Sequence, residues 1–158
     1  MTSETVKNFW QTYARKNNLP LEPTPPAWMF GDGTEEMADR LGNLVVKGLK
    51  TGTCAAHCIH EIENEPIPKV NEYEIVLDGR NEPLVIIKYT KVELVKMNEV
   101  TEAFAESEGE GDLSYDYWYS AHERFFTWEL GQYGRTFTPD LLLVCQTIEV
   151  VESYSPML

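Results

Sequence analysis

The order of elements legible in the sequence predicts an α+β protein with a small, mostly antiparallel sheet or barrel flanked by helices. Three observations carry this. Apolar residues recur at helical spacing near the N-terminus, over 34–47 and over 98–130. Strand character fills 53–95 and returns at 141–151, where it is expected to close the barrel. The strands do not alternate with helices, so a doubly wound parallel sheet is not expected.

The first helix is marked by Val6, Phe9, Trp10 and Tyr13, with Thr2 or Ser3 as its cap and Asn17, Asn18 and Pro20 as its stop. Pro20, Pro23, Pro25 and Pro26 follow as an extended linker. Trp28, Met29 and Phe30 are then expected to dock on a core. Thr34 caps a second helix, with Met37, Leu41, Leu44 and Val45 as its stripe and Gly48 as its stop. Asp78-Gly79 separates two strand-like runs, 72–77 and 84–95, in a hairpin whose loop exceeds two residues. Residues 98–108 are expected to be helical with Val100, Ala103 and Phe104 facing in. From Ser114 a longer helix places Trp118, Ala121, Phe125 and Trp128 near one face, with His122 and Phe126 beside them.

A chain of 158 residues suits one domain and buries enough surface to fold without disulfides or metals. Asp and Glu outnumber Lys and Arg by 26 to 13, a net charge of −13. Such a polyanion is repelled by duplex DNA and anionic membranes, although a pocket for one nucleotide stays compatible with it. No apolar run reaches membrane-spanning length, and no basic-then-apolar leader opens the sequence. Three cysteines make no disulfide framework, so a cytoplasmic location is expected.

Two segments invite chemistry. Gly48-Leu49-Lys50-Thr51-Gly52-Thr53 offers conformational freedom, one cation and two hydroxyls, and reads equally as a helix cap followed by a turn. It is not a P-loop, because its Lys does not follow the second Gly into a helix. Cys54, His57, Cys58 and His60 would share a face on a helix. On a strand, which Thr53 and Ile59 favour, Cys54 and Cys58 lie about 13 Å apart, too far for one metal. No metal and no cofactor are therefore expected. The acidic run 106–112 lacks the Glu that a calcium loop needs at its twelfth position. It reads as a solvated turn, with Glu108 held open as a functional residue.

The ordered set of the 48–53 motif, the stretch 105–112 (Ala105-Glu106-Ser107-Glu108-Gly109-Glu110-Gly111-Asp112), and Trp118, His122, Phe125 and Phe126 resembles the ASCH superfamily, close to the PUA-like β-barrels. The first motif is similar to that family's Gly-x-Lys-x-x-Thr signature. The resemblance spans roughly 28–151. It suggests an N-terminal helix and linker over 1–27 and an ASCH/PUA-like domain over 28–158. It implies a small barrel around a cleft and a general role in RNA or nucleotide binding. One branch of the family comprises metal-independent amidohydrolases that remove the acetyl group from acetylcytidine. Carried over by position, their chemistry falls on Lys50 as base, Thr53 as nucleophile and Glu108 as proton relay. Gly48, Thr51, Gly52, Trp118 and His122 would then bind substrate. Many relatives carry Arg where this chain has Ala55, which weakens the expectation of activity.

Two functions follow as expectations: an amidohydrolase of an acetylated cytidine-type nucleoside, or an RNA- or nucleotide-binding module without chemistry. The expected partner is a small nucleoside or nucleotide, or single-stranded RNA, and not duplex DNA or a membrane. For the enzyme, Lys50 must lose its proton, which burial favours and a nearby Glu108 opposes. Trp118 is expected either to wall the cleft and stack on a base or to pack in the core.

Overall fold

The computed structural model describes residues 3–155. Thr2, one of the two expected caps of the first helix, lies outside them. The elements run α1 (Glu4–Lys16), β1 (Ala27–Met29), α2 (Glu35–Val46), β2 (Gly52–Ala56), α3 (His57–Ile62), β3 (Tyr73–Leu77), β4 (Pro83–Lys96), α4 (Glu102–Ser107), α5 (Tyr115–Gly131) and β5 (Leu142–Ser153). The five strands form one mixed sheet in the order β1-β3-β4-β5-β2. The class is α+β, as the sequence predicts. The strand from 141 onward lies between β4 and β2.

Four helices start on a hydroxyl. Ser3 accepts from the Val6 amide, Thr34 from Met37, Thr101 from Phe104 and Ser114 from Tyr117. Each hydroxyl satisfies one of the amides that a first helical turn leaves without a partner.

The chain divides into two compact units. The first contains the segments up to Gly48, Asn71–Lys88 and from Glu149 onward. Its core is Val6, Phe9, Trp10, Tyr13 and Ala14 from α1, packed with Ile75, Leu77 and Ile86. The aromatic residues predicted at helical spacing are thus all inside. β3 and β4 form the predicted antiparallel hairpin, from Tyr73 opposite Lys88 to Leu77 opposite Pro83. Asp78 closes its turn by accepting from the Arg80 and Glu82 amides at 2.8 and 3.0 Å. Gly79 is required there, since a Cβ would lie 2.6 Å from the Glu35 Cα. Trp28 and Met29 do not simply dock. They form β1, parallel to β3, and the Trp28 indole donates to Glu74 at 2.6 Å.

The second unit contains Leu49–Val70 and Tyr89–Ile148. β2 and β5 pair antiparallel, from Gly52 opposite Thr147 to Ala56 opposite Leu143. Its core joins Met97, Val100, Ala105, Trp118, Phe126, Leu130 and Leu143. Three expectations are corrected here. The Cys/His run is not one strand, because β2 gives way to α3 at His57, where Ile59 turns into the core and His57 sits 3.5 Å from Glu61 one turn on. Residues 98–108 are not one helix. A short 3-10 turn, Met97–Glu99, ends at an extended Val100 and α4 starts afresh on Thr101, leaving Ala103 exposed. On α5 the buried row is Trp118, His122, Phe126 and Leu130, and Trp128 is 46% exposed. Aromatic residues occupy two adjoining helical rows, so periodicity alone placed the face one row off.

Candidate functional site

Everything in this site lies in the second unit. After α2, residues 49–51 lead into β2, and the Thr51 amide donates to the Ser107 carbonyl at 2.8 Å, fixing that segment against the end of α4. Gly52 packs on the same helix: a Cβ there would meet the Ser107 hydroxyl at 2.1 Å. Just past α4, Gly109 adopts φ +72°, and a Cβ on it would sit 2.3 Å from the Leu49 carbonyl oxygen. Only glycine combines that backbone angle with so close an approach. The two segments therefore lie side by side, and Lys50 and Glu108 face each other.

The Lys50 ammonium donates to Glu108 Oε1 at 2.9 Å and stands 3.5 Å from Glu110 Oε2. Glu108 is 1% exposed, so it is not part of a solvated acidic turn. Its Oε2 accepts from the Trp118 indole N–H at 2.9 Å, and its Oε1 lies 3.4 Å from His122 Nε2. His122 Nδ1 is 2.7 Å from the Trp118 carbonyl, which can only accept, so the ring carries a proton at Nδ1. The two α5 rings stack at 4.5 Å. Strand alternation brings Cys54 to the same group: its sulfur, a Glu108 oxygen and a His122 nitrogen all lie within 4.8 Å of one another.

The charges settle one another. Burial raises the Glu108 pKa, but Lys50 and then His122 outweigh it and hold the carboxyl well below the usual carboxylate range. Burial lowers Lys50, but Glu108 and Glu110 outweigh it and hold the ammonium above its ordinary value. His122 follows Lys50: burial lowers it and the Glu108 carboxylate raises it further. Cys54 is pushed well up by burial and then by Glu108. Lys50 therefore keeps its proton and Glu108 has none to give. As it stands, the pair contains neither the free base nor the protonated relay that the hydrolytic expectation requires. Cys54, Glu108 and His122 have ligand-type atoms, but a divalent cation on them would stand beside the ammonium that already holds Glu108. The donor set does not suit a metal.

The predicted site residues divide. Lys50, Glu108, Trp118 and His122 meet. Trp118, at 2% exposure with His122 stacked on it, is core and a donor to Glu108, not a base-stacking wall. Gly48 is the exposed end of α2, with φ +77° and its amide on the Val45 carbonyl, and Thr51 is exposed. Thr53 neighbours Cys54 on β2 and so faces the opposite side of the strand, with Gln146 directly across from it. No hydrogen bond among the described residues ties the Thr53 side chain to Lys50 or Glu108. Sequence reasoning missed Glu110 as second carboxylate. The acidic run was the only signal for Glu110.

A family model of the ASCH domain matches residues 26–152. The chain belongs to the ASCH domain family. Two solved structures are similar to it. A crystal structure of a protein from Enterococcus faecalis V583 is 50% identical, covers 96% of this chain and 91% of its own, and superposes with a TM-score of 0.90. The crystal structure of an ASCH domain from Lactobacillus crispatus JV V101 is 27% identical, covers 96% of this chain and 99% of its own, and gives 0.79. No curated protein matches the sequence. The PUA-like α+β fold of this ASCH domain is thereby established. No helix among its described residues is long and apolar enough to cross a membrane.

Proposed function

We propose that this ASCH domain binds a nucleoside or nucleotide, free or at the end of a single-stranded RNA, without turning it over. The observation that carries the absence of chemistry is the closed Lys50–Glu108 pair at 2.9 Å, further held by Trp118 and His122. A threonine nucleophile needs something to take its proton. Lys50 is protonated, and Thr53 points to the other side of β2. The class of ligand comes from the resemblance, whose general role is RNA or nucleotide binding. The charge of −13 favours a small ligand over a duplex and a cytoplasmic setting over an anionic membrane surface.

A second reading has its own support. Two of the three residues matching the amidohydrolase pattern, Lys50 and Glu108, are buried and in contact, and clusters with mutually shifted pKa values concentrate at functional sites. In that reading a bound substrate separates the pair and frees one partner. Incubation with acetylcytidine, followed by chromatography for cytidine, decides between the two. Binding without cytidine release is the expected result. Catalytic release that disappears in Lys50→Ala overturns it and installs the hydrolase.

A further inference from the structure

Cys54 on β2 and Cys145 on β5 lie directly opposite each other, in a register that runs unbroken from Gly52 opposite Thr147 to Ala56 opposite Leu143. Opposed residues on antiparallel strands project to the same face. Along such a ladder they alternate between pairs that exchange backbone hydrogen bonds and pairs that do not. One bond fixes the phase: the Ile148 amide donates to the Thr51 carbonyl at 2.9 Å. Position 51 stands opposite 148, so that pair is of the bonded kind. Counting inward, Gly52 and Thr147 are unbonded, Thr53 and Gln146 bonded, and Cys54 and Cys145 unbonded. An unbonded pair has the closer side chains, with Cα atoms about 4.5 Å apart. A disulfide accepts Cα separations of about 4.4–6.8 Å, so the register places the two sulfurs within bridging reach.

Both thiols are free. Cys54 is half-buried and Cys145 is buried, so an oxidant meets Cys54 first. We infer that Cys54 and Cys145 are a reversible redox pair, which a hydroperoxide closes into a disulfide that ties the edge strand β2 to β5. The Cys54 sulfur attacks one peroxide oxygen, the O–O bond breaks, and the departing hydroxide takes the thiol proton as water. The Cys145 sulfur then attacks the sulfur of the Cys54 sulfenic acid. The S–S bond forms, the S–O bond breaks, and the hydroxyl leaves with the Cys145 proton as a second water. The two thiols lose two electrons and the peroxide gains them. Burial and then Glu108 push both thiols up, Cys145 to about 12, and the thiolate is the reactive form, so closing is slow and takes sustained peroxide. Cys58 packs against the same core but sits on α3, past the end of β2, where no residue of β5 stands opposite it. The bond also reaches the charged cluster. The Cys54 thiol hydrogen-bonds Glu108, and closing the disulfide takes that donor from the carboxylate that holds Lys50.

The test pairs peptide mapping with stability. The reduced full chain is treated with hydrogen peroxide, its remaining thiols are alkylated, and its peptides are mapped by mass spectrometry without reduction. Wild type should give a peptide linked through Cys54 and Cys145, with Cys58 as the only alkylated cysteine, and dithiothreitol should restore all three thiols. The linked form should melt several degrees above the reduced one, because the bond closes a long loop of chain, and dithiothreitol should return it to the starting value. Cys58→Ser should form the same link. Cys145→Ala should lose both the link and the rise in melting temperature. A link between Cys54 and Cys58 in wild type, a link between chains, further oxidation of Cys54 beside a free Cys145, or three untouched thiols each overturns the pair. A linked form that melts below the reduced one also overturns it, because the bond then belongs to a distorted chain and not to the folded register. Should Cys145→Ala fail to fold, Cys54→Ala makes the same comparison, and a rise in melting temperature that survives in it overturns the pair.

Discussion

The two buried tryptophans, Trp10 and Trp118, sit in different units and do different work. Both rings are almost fully inside, yet the Trp10 indole N–H has no hydrogen-bond partner and the Trp118 indole N–H donates to the Glu108 carboxylate. Trp10 stands among aromatic and aliphatic neighbours, Tyr13 at 5.9 Å and Tyr73 at 5.5 Å between ring centres. It serves by area alone. Trp118 does two things: it fills the second core, and it orients one oxygen of a carboxylate whose other oxygen holds a lysine. One unit is therefore held mainly by apolar burial and the other partly by charges that must stay together. The first kind of core degrades gradually when trimmed, while the second fails when one member is removed.

The largest break expected is Glu108→Ala. It takes from the buried Lys50 ammonium its nearest carboxylate and from His122 and Trp118 their common partner, and removing one partner of a buried pair typically destabilises by about 3–5 kcal/mol. Urea denaturation should show that loss. The double variant Lys50→Met/Glu108→Leu should recover much of it, because the buried ammonium is then removed together with the carboxylate that holds it. Additive losses would show that the two residues do not act as a pair.

The next effect compares the tryptophans directly. Trp118→Phe loses a hydrogen bond to a charged group, about 1.5–3 kcal/mol, in addition to the cost of a smaller ring. Trp10→Phe loses only the packing, about 1–2 kcal/mol, and relieves a buried donor of its lack of a partner. Equal destabilisation in parallel urea titrations would erase the distinction between the two cores. Below these come the helix caps. Ser3→Ala and Ser114→Ala should each cost about 1 kcal/mol, seen as a few degrees in a thermal melt. Ser114→Ala should additionally perturb the Trp118 fluorescence, because that helix carries the cluster.

The smallest effect is a pH dependence confined to the second unit. His122 faces Glu108 and Glu110, and its Nδ1 meets the Trp118 carbonyl. Its folded pKa is raised, so its contribution is complete below the unfolded value of about 6.5 and disappears as pH climbs through the folded value. Lys50 and Cys54, both shifted upward, keep their protons in this window. Melting temperature measured from pH 6 upward should therefore fall further in wild type than in His122→Gln. Parallel curves would place the dependence elsewhere.

Much of the fold was legible because its signals are local. Ser3, Thr34 and Ser114 announce helix starts, and the Asp78-Gly79 turn announces the hairpin. What misled was register. Trp128 and Phe126 lie two positions apart on α5, and composition cannot tell which of two aromatic rows faces inward. The strand-to-helix change at His57 has no capping side chain to mark it. Half of the candidate site was legible for a similar reason: Lys50 and Glu108 stand in recognisable short motifs. Which way Thr53 points depends on the phase of β2, and the phase of a strand is set by tertiary packing. The state of Lys50 depended on two opposing effects whose balance only geometry fixes.

Gly109 has a consequence for the order of events in folding. It lets the segment before β2 pass against the turn after α4, joining Lys50 to Glu108 across 58 residues of chain. Neither charge gains by leaving water alone, so the ammonium and the carboxylate are expected to dehydrate together, after β2, α4 and α5 have assembled. Interactions absent from the transition state govern how fast a protein comes apart more than how fast it forms. A side chain at position 109 would therefore act chiefly on the lifetime of the folded molecule: the chain would reach its fold at a familiar rate and leave it sooner.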